Sequence, residues 1–214
     1  MQRLLCLVLL MIGLSPISAK CQSARGQLKD GKPIGVWEYY DGEKLGLRFN
    51  YDSSRIQCIR PDTARYLVLL DSAWQPKQLS RAPRVLGSNT DLISAIQRQL
   101  RYPLPDLRAR NTGTVVLTYV IDVQGQKTNP VAVTTPSQTL AEEVYRVVES
   151  TPFTYIPAIY EGKRIPAKIT FVVRFCLCKT AEDCQTVSKA QALATPKPAG
   201  SLGEIIVTAY VPGK

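Results

Sequence analysis

The sequence predicts an α+β fold in which a small antiparallel sheet of about three strands packs with two helices, preceded by a small β-hairpin module. Two segments carry apolar residues at helical spacing, and two long runs are rich in β-branched residues that alternate between faces. Turn residues and prolines divide the chain into the following parts. We predict a signal peptide at 1–19, a β-rich N-terminal module at 20–74, a linker at 75–87, the α+β domain at 88–177 and a flexible tail at 178–214.

The first residues have the order of a secretory signal. Arg3 precedes an apolar or small run at 4–14, and small residues lead to Ala19. As a helix this run is about half as long as a membrane core is thick, which argues against a stable anchor. We therefore expect cleavage after Ala19 and export to a periplasm. The alternative is an inner-membrane anchor formed by an uncleaved N-terminus.

The amino-acid composition limits the classes of function that are open to this protein. The chain has 27 basic and 17 acidic residues, a formal net charge of +10, and no histidine. Scattered positive charge on an exported protein favours anionic envelope components or acidic receptor segments over nucleic acid. The chain has no histidine base, no Gly-x-Ser-x-Gly motif and no phosphate loop. We therefore expect no catalytic residues, no metal site and no cofactor.

Cysteine usage agrees with export to an oxidising compartment. Cleavage would leave Cys21, Cys58, Cys176, Cys178 and Cys184, so at least one thiol stays outside a pair. Cys176 and Cys178 lie two apart on one face of a predicted strand, where a mutual bond is difficult. One of the two can instead close a short loop to Cys184. Because the chain lacks histidine, the C-x-C-x5-C spacing is a weak metal motif.

The N-terminal module is predicted to contain an aromatic hairpin. A turn at 31–35 leads to a strand at 36–40, and a second turn at 41–44 leads to the returning strand at 45–51. The hairpin resembles the Gly-x-Trp-x-Tyr-Tyr hairpins of MORN-type repeats, in one copy. A single hairpin is marginal alone, so we expect it to pack on a strand at 66–70. Its aromatic residues, Trp37, Tyr39 and Tyr40, are predicted to be core rather than a sugar-binding platform.

The following domain shows a change from helical to strand periodicity. Ser88 or Asn89 can cap the first helix, and Thr139 with Glu142 forms a capping box for the second. The predicted elements are a helix through Leu100, a strand at 113–121, a turn at 122–125, a strand at 127–133, a helix through Val148 and a last strand at 167–177. In the last strand, alternate residues are apolar.

The order of short motifs in this domain resembles the C-terminal domain of TonB. The motifs are Tyr102-Pro103, Gly113-Thr114-Val115, Val120-Ile121-Asp122 with Gly125, the helix at 140–148, Pro157-Ala158 and Gly162-Lys163. The resemblance covers residues 86–177, and the stretch at 73–83 resembles the lead-in of Bacteroidetes-type relatives. The joint order is more specific than any single motif.

The resemblance implies a function and a site. Domains of this family bind a short segment of a TonB-dependent outer-membrane receptor, the TonB box, by adding it to their sheet. By resemblance the acceptor edge is the last strand, and the segment before Tyr102 is a second contact. The implied binding residues are Lys168, Ile169, Thr170, Phe171, Val172, Val173, Arg174, Phe175, Gln99, Leu100 and Arg101.

Family transducers also couple to an ExbB-ExbD type motor through a membrane anchor with a functional histidine. The short apolar run at 4–14 and the absence of histidine argue against such coupling here. The main alternative function is that of a cell-envelope structural or peptidoglycan-binding protein.

The C-terminal tail resembles the receptor segment that domains of this family bind. The residues Glu204, Ile205, Ile206, Val207, Thr208 and Ala209 look like the TonB box of Bacteroidetes receptors. A β-prone segment at a free end is a candidate for pairing with a sheet edge. The tail is expected to compete within its own chain, to self-associate with a neighbouring copy, or to be an ordinary terminus.

Overall fold

The structure is a computed structural model that describes residues 23–180, 182–184, 186 and 198–211. The predicted signal peptide, residues 1–19, lies outside the described residues. None of the helices within these described ranges is long and apolar enough to cross a membrane.

Fourteen strands and three helices have bounds that the structure describes. In order they are β1 (Ala24–Lys29), β2 (Lys32–Asp41), β3 (Lys44–Asn50), β4 (Arg55–Ile59), β5 (Arg65–Leu70), β6 (Ala73–Gln78), β7 (Arg84–Val85), α1 (Asn89–Gln99), α2 (Leu104–Ala109), β8 (Gly113–Ile121), β9 (Lys127–Thr134), α3 (Gln138–Ser150), β10 (Tyr155–Ile156), β11 (Ala158–Tyr160), β12 (Lys163–Ile165), β13 (Ala167–Cys178) and β14 (Ser201–Tyr210).

The N-terminal module is a four-stranded antiparallel sheet in the order β1-β2-β3-β4. The predicted hairpin is β2 with β3, but the turn expected at 31–35 is shorter, and β2 already starts at Lys32. Tyr39 and Leu47 are buried in a small core with Ile156, and Trp37 packs against it, as predicted. Tyr40, which was also predicted to be core, lies outside this cluster, and its hydroxyl donates to the Glu38 carboxylate at 2.7 Å. The expected packing partner is different, because β5 pairs with β6 and β13 in the larger sheet.

The segment predicted to be a linker, residues 75–87, is largely structured. Its first part belongs to β6, which forms a hairpin with β5, and its last part contains β7, paired with β10. Pro76 suggested a linker, but proline is tolerated in an edge strand such as β6. Val85 is fully buried, which anchors this segment to the domain.

The larger sheet has six strands in the order β6-β5-β13-β8-β9, with β14 also paired to β13. The three antiparallel strands predicted for this domain are β9, β8 and β13. β5 was predicted as a strand of the N-terminal module, β14 was predicted only as a β-prone segment of the tail, and β6 was missed. The fold class is α+β as predicted, with a larger sheet and one further helix, α2. This helix has only six residues, with a proline in its first turn, too few for periodicity to indicate it.

The main core lies between this sheet and the helices α1 and α3. Val115, Leu117, Tyr119 and Ile121 alternate along β8 and are all buried. Leu140, Val144, Val147 and Val148 of α3 face them, as the helical spacing predicts. The hydrophobic effect of this burial fixes the register of β8, because a slip by one residue would expose the whole apolar set.

The helix caps can be compared with the capping residues that the sequence predicts. Ser88 caps α1, and its hydroxyl accepts from the N–H groups of Thr90 and Asp91. The capping box predicted at Thr139 is wrong, because Ser137 caps α3 and accepts from Leu140 N at 3.2 Å. The Thr139 hydroxyl instead donates to the Asp106 carboxylate.

Candidate strand-acceptor site

The strand expected to be the acceptor edge is paired on both sides. β13 pairs antiparallel with β8 from Ala167 to Phe175 and parallel with β14 from Thr170 to Cys178. The chain's own C-terminal segment lies along the expected acceptor edge. The same side of β13 also pairs with β5, where Ala167 lies opposite Val68.

Backbone groups of β13 are divided between its two neighbours. The Thr170 N–H donates to the Gly200 carbonyl at 2.8 Å, and the Cys178 carbonyl accepts from Val211 N at 3.0 Å. Backbone N–H and C=O groups point to alternate sides along a strand. The even-numbered residues of β13 therefore direct their N–H and C=O groups to β14, and the odd-numbered residues direct theirs to β8. Five residues therefore carry the acceptor groups of this edge: Thr170, Val172, Arg174, Cys176 and Cys178.

Side chains of the two strands meet on two faces. On the core face, Ile169, Phe171, Val173 and Phe175 are fully buried. Ile205 and Val207 of β14 belong to the same core cluster. Two box-like residues of the tail thus complete the hydrophobic core rather than lying on its surface.

The opposite face of β13 is also buried, although its residues are more polar. Thr170, Val172 and Arg174 are each at most 5% exposed. Arg174 forms an ion pair with Glu204 of β14, and its guanidinium donates to the Thr114 hydroxyl of β8 at 3.3 Å. At the start of the strand, the Lys168 ammonium lies 4.3 Å from the centre of the Trp74 ring.

Two glycines allow β14 to approach its neighbours. Gly200 has a φ of +73°, and a Cβ there would lie 2.5 Å from the Lys168 carbonyl oxygen. At Gly203 a Cβ would lie 3.2 Å from Cδ1 of Ile93 on α1. A small residue at 203 therefore lets the strand pass beneath the helix.

The residues predicted as a second contact, Gln99, Leu100 and Arg101, lie at the end of α1 and turn towards α3. Gln99 donates to the Thr151 hydroxyl at 3.3 Å, and the backbone N–H of Arg101 donates to Glu143 at 2.8 Å. Leu100 is buried in the main core. These contacts attach the segment to α3 rather than to the β13–β14 pair.

A disulfide bond closes the end of the acceptor strand. Cys178 pairs with Cys184, which resolves the alternative that the sequence left open. Cys178 is also the residue opposite Tyr210, so the loop begins where β14 ends. Cys176 is buried, and burial raises the pKa of its thiol.

A buried polar cluster joins the N-terminal module to α1. Arg84 donates to the Gly46 carbonyl at 2.6 Å and to the Asp41 carboxylate at 3.3 Å. Asp41 also accepts from the backbone N–H of Asn89, the first residue of α1, at 2.7 Å. Burial lowers the pKa of Arg84, and Asp41 opposes that shift. Sequence reasoning missed this cluster because its partners are far apart in the chain.

A second buried carboxylate, that of Asp106, holds the start of α3. It accepts from Ser137, Thr139 and Asn111. Burial favours the neutral acid, but the three hydrogen bonds outweigh it and hold the pKa of Asp106 below its usual range. The Asp106 cluster thus positions α3 against the core face of the sheet.

No arrangement for metal chemistry is found in the described residues, where no group of three or more Cys, Asp or Glu side chains could hold an ion. The space between the two modules is a pocket of about 390 Å³. Charges of both signs line it, including Asp62, Arg60 and Arg81. Such a mixed lining selects no single ligand class.

Comparison with known proteins agrees with the resemblance in the domain. No curated protein matches the chain. A family model described as Gram-negative bacterial TonB protein C-terminal matches residues 98–177. The matched stretch begins in the last turn of α1 and ends in β13, so it includes the acceptor strand and excludes β14. The MORN-like and Bacteroidetes-type resemblances remain predictions. Residues 98–177 of this chain are thus similar to the C-terminal domain of the Gram-negative bacterial TonB protein.

Proposed function

We propose that this protein binds an extended segment of a TonB-dependent outer-membrane receptor by adding it as a strand to β13, in TonB-dependent transport. One observation carries the proposal: β13 holds a parallel strand whose residues 204–209 resemble a TonB box. The match of residues 98–177 to the TonB C-terminal family supports the same partner class. The family faces the periplasm, and we propose that location here.

The mechanism rests on backbone hydrogen bonds, which give affinity for any extended strand. The receptor segment would take the place of β14 and use the groups of Thr170 to Cys178 that face it. It must also fill the positions of Ile205 and Val207, because an empty core position costs hydrophobic stabilisation.

The tail is the occupant that a receptor segment has to displace. About 26 residues separate Leu177 from Glu204, and a tether of that order gives an effective concentration near millimolar. A free segment with the same intrinsic affinity as the tail would be excluded at concentrations below this. The tail therefore acts as a built-in competitor that sets a threshold for receptor binding. Pairing within the chain also occupies the edge that self-association would use.

Within the described residues, no structural observation favours the envelope-structural or peptidoglycan-binding alternative. Two of the aromatic residues that would form a sugar platform, Trp37 and Tyr39, are packed in the core of the N-terminal sheet. Trp37 donates to the Gln27 carbonyl at 3.1 Å, and a Cβ on Gly26 would meet its ring at 2.2 Å. An ExbB-ExbD type motor is not part of the proposal.

The test uses receptor-box peptides with single N-methyl groups. Since Val211 N donates to Cys178, alternation directs the N–H groups of Ile205, Val207 and Ala209 to β13 as well. A peptide methylated at the position of Val207 should lose binding, and one methylated at the position of Thr208 should keep it. Titration is done with the intact chain and with a chain lacking residues 201–214, which should bind more tightly.

Two controls make this result interpretable. Circular dichroism must show that the shortened chain is folded, and purified peptidoglycan serves as the rival ligand. Replacement of Val172 by proline removes a backbone donor that faces β14 and should abolish binding in a folded protein, whereas alanine there should not. Equal binding of both methylated peptides, or retention on peptidoglycan alone, would contradict the proposal.

A further inference from the structure

A buried ion pair joins the acceptor strand to the strand that it holds. The side chains of Arg174 and Glu204 are 7% and 15% exposed, and the two form an ion pair across β13 and β14. Charged side chains are rarely this buried unless they are paired, because each loses its hydration. The ion pair therefore requires a cation on β13 and an anion on the strand that pairs with it.

The two charges belong to different parts of the site. Arg174 lies opposite Thr114 in the β8–β13 register, and the Thr114 hydroxyl accepts from its guanidinium. The cation is thus fixed by the TonB-like domain itself. Glu204 lies opposite Val172 in the β13–β14 register, so its carboxylate reaches Arg174 diagonally. That carboxylate arrives with the added strand.

Neighbouring positions of the added strand are also restricted. The residue before the carboxylate is Gly203, which passes Ile93 of α1 closely. The residues one and three positions after it, Ile205 and Val207, enter the core. The site thus fits a pattern: a small residue, an acidic residue, an aliphatic residue, a partly buried residue and a second aliphatic residue.

We propose that Arg174 selects the strands that β13 accepts, and that the partner of this domain is a receptor segment with a carboxylate at the position of Glu204 within that pattern. The inference rests on the proposed function and names the chemistry of its partner. A segment with a neutral or basic residue at that position would leave the Arg174 charge buried without a counter-charge. Truncating one partner of a buried charge pair is strongly unfavourable, so we expect selectivity of at least about tenfold.

The experiment uses the full chain with Glu204→Lys, which weakens the internal tail and keeps Arg174. Two peptides copy residues 200–211, one with glutamate and one with lysine at position 204. The acidic peptide should bind at least about tenfold more tightly than the basic peptide. In a chain with Arg174→Glu and the natural tail, the preference should reverse. In the double variant the internal tail should again protect its amides from hydrogen exchange.

The outcomes distinguish selection by Arg174 from strand addition to β13. If the tail amides of the Glu204→Lys chain exchange freely and neither peptide binds, strand addition to β13 is wrong. If both peptides bind equally well, strand addition stands and selection by Arg174 is overturned. Should Arg174→Glu not fold, the comparison of the two peptides on the Glu204→Lys chain still decides, because Arg174 is unchanged there.

Discussion

Thr170 donates its backbone N–H to the carbonyl of Gly200 at 2.8 Å, and this hydrogen bond lies at the start of the pairing between β13 and β14. Gly200 has a φ of +73°, and the Lys168 carbonyl lies where a Cβ would be. The tail can therefore turn onto the acceptor strand only because position 200 has no side chain.

Replacing Gly200 by alanine should release the tail. A left-handed backbone costs a residue with a side chain about 1–3 kcal/mol, and the close carbonyl adds to that cost. We expect the amides of 203–210 to lose at least about tenfold of their exchange protection. Gly162→Ala is the control, because Gly162 has a φ of +76° but no atom within 4 Å of the added Cβ. Equal exchange in the two variants would show that the contact at Gly200 has no role.

Removing the disulfide should destabilise the end of the acceptor strand. The Cys178–Cys184 bond closes a loop of short sequence separation, for which chain entropy predicts a loss of about 2 kcal/mol when it is removed. Denaturant unfolding of the double serine variant measures this change. Cys58→Ser, at an exposed position outside the disulfide, is the control and should leave the midpoint unchanged. An unchanged midpoint in both variants would contradict the stabilising role.

Removing the counter-charge of Arg84 should weaken the junction between the modules. Asp41→Asn keeps an acceptor for Asn89 but leaves the buried guanidinium without an anion, which should cost about 2–4 kcal/mol of unfolding free energy. Glu38→Gln removes a comparable partner from Arg48 in an exposed pair and should have little effect. Similar melting temperatures for Asp41→Asn and the unmodified chain would show that the junction does not depend on this charge.

The Asp106 cluster predicts an acid-sensitive contribution to stability. Because the folded pKa of Asp106 is lowered, its stabilisation is present above the unfolded pKa, near the ordinary value of 3.8, and is lost as pH falls through the folded pKa. Asp106→Asn should lower the unfolding free energy by about 1 kcal/mol or more at pH 7. That deficit should shrink below about pH 4. A deficit that is constant from pH 7 to pH 3 would exclude the charged hydrogen bonds as its cause.

Much of the domain could be predicted from periodicity. The burial of Val115, Leu117, Tyr119 and Ile121 follows from alternation along one strand, and the α3 face follows from helical spacing. These are local signals, in which each residue's neighbours in sequence reveal its environment. The motif order that resembles TonB is likewise readable along the chain.

Other features could not be read in this way, because they depend on contacts between distant segments. In the sequence, Asp41 lies in a predicted turn and Arg84 lies in the predicted linker. Only the fold brings the two side chains together. The same holds for Arg174 and Glu204, whose ion pair joins the predicted edge strand to the segment that covers it. Pro76 misled the linker prediction, since an edge strand tolerates a residue that an interior strand would not.

Hydrogen exchange on the intact chain, with and without a receptor-box peptide that has an acidic residue at the position of Glu204, tests strand addition most directly. The account predicts that the peptide makes the tail amides of 203–210 exchange faster, while those of Val172 to Cys176 stay protected. That outcome requires one strand to replace another on β13. Peptide binding with no change in the exchange of the tail amides, or no binding at any concentration above the effective concentration of the tail, would contradict it.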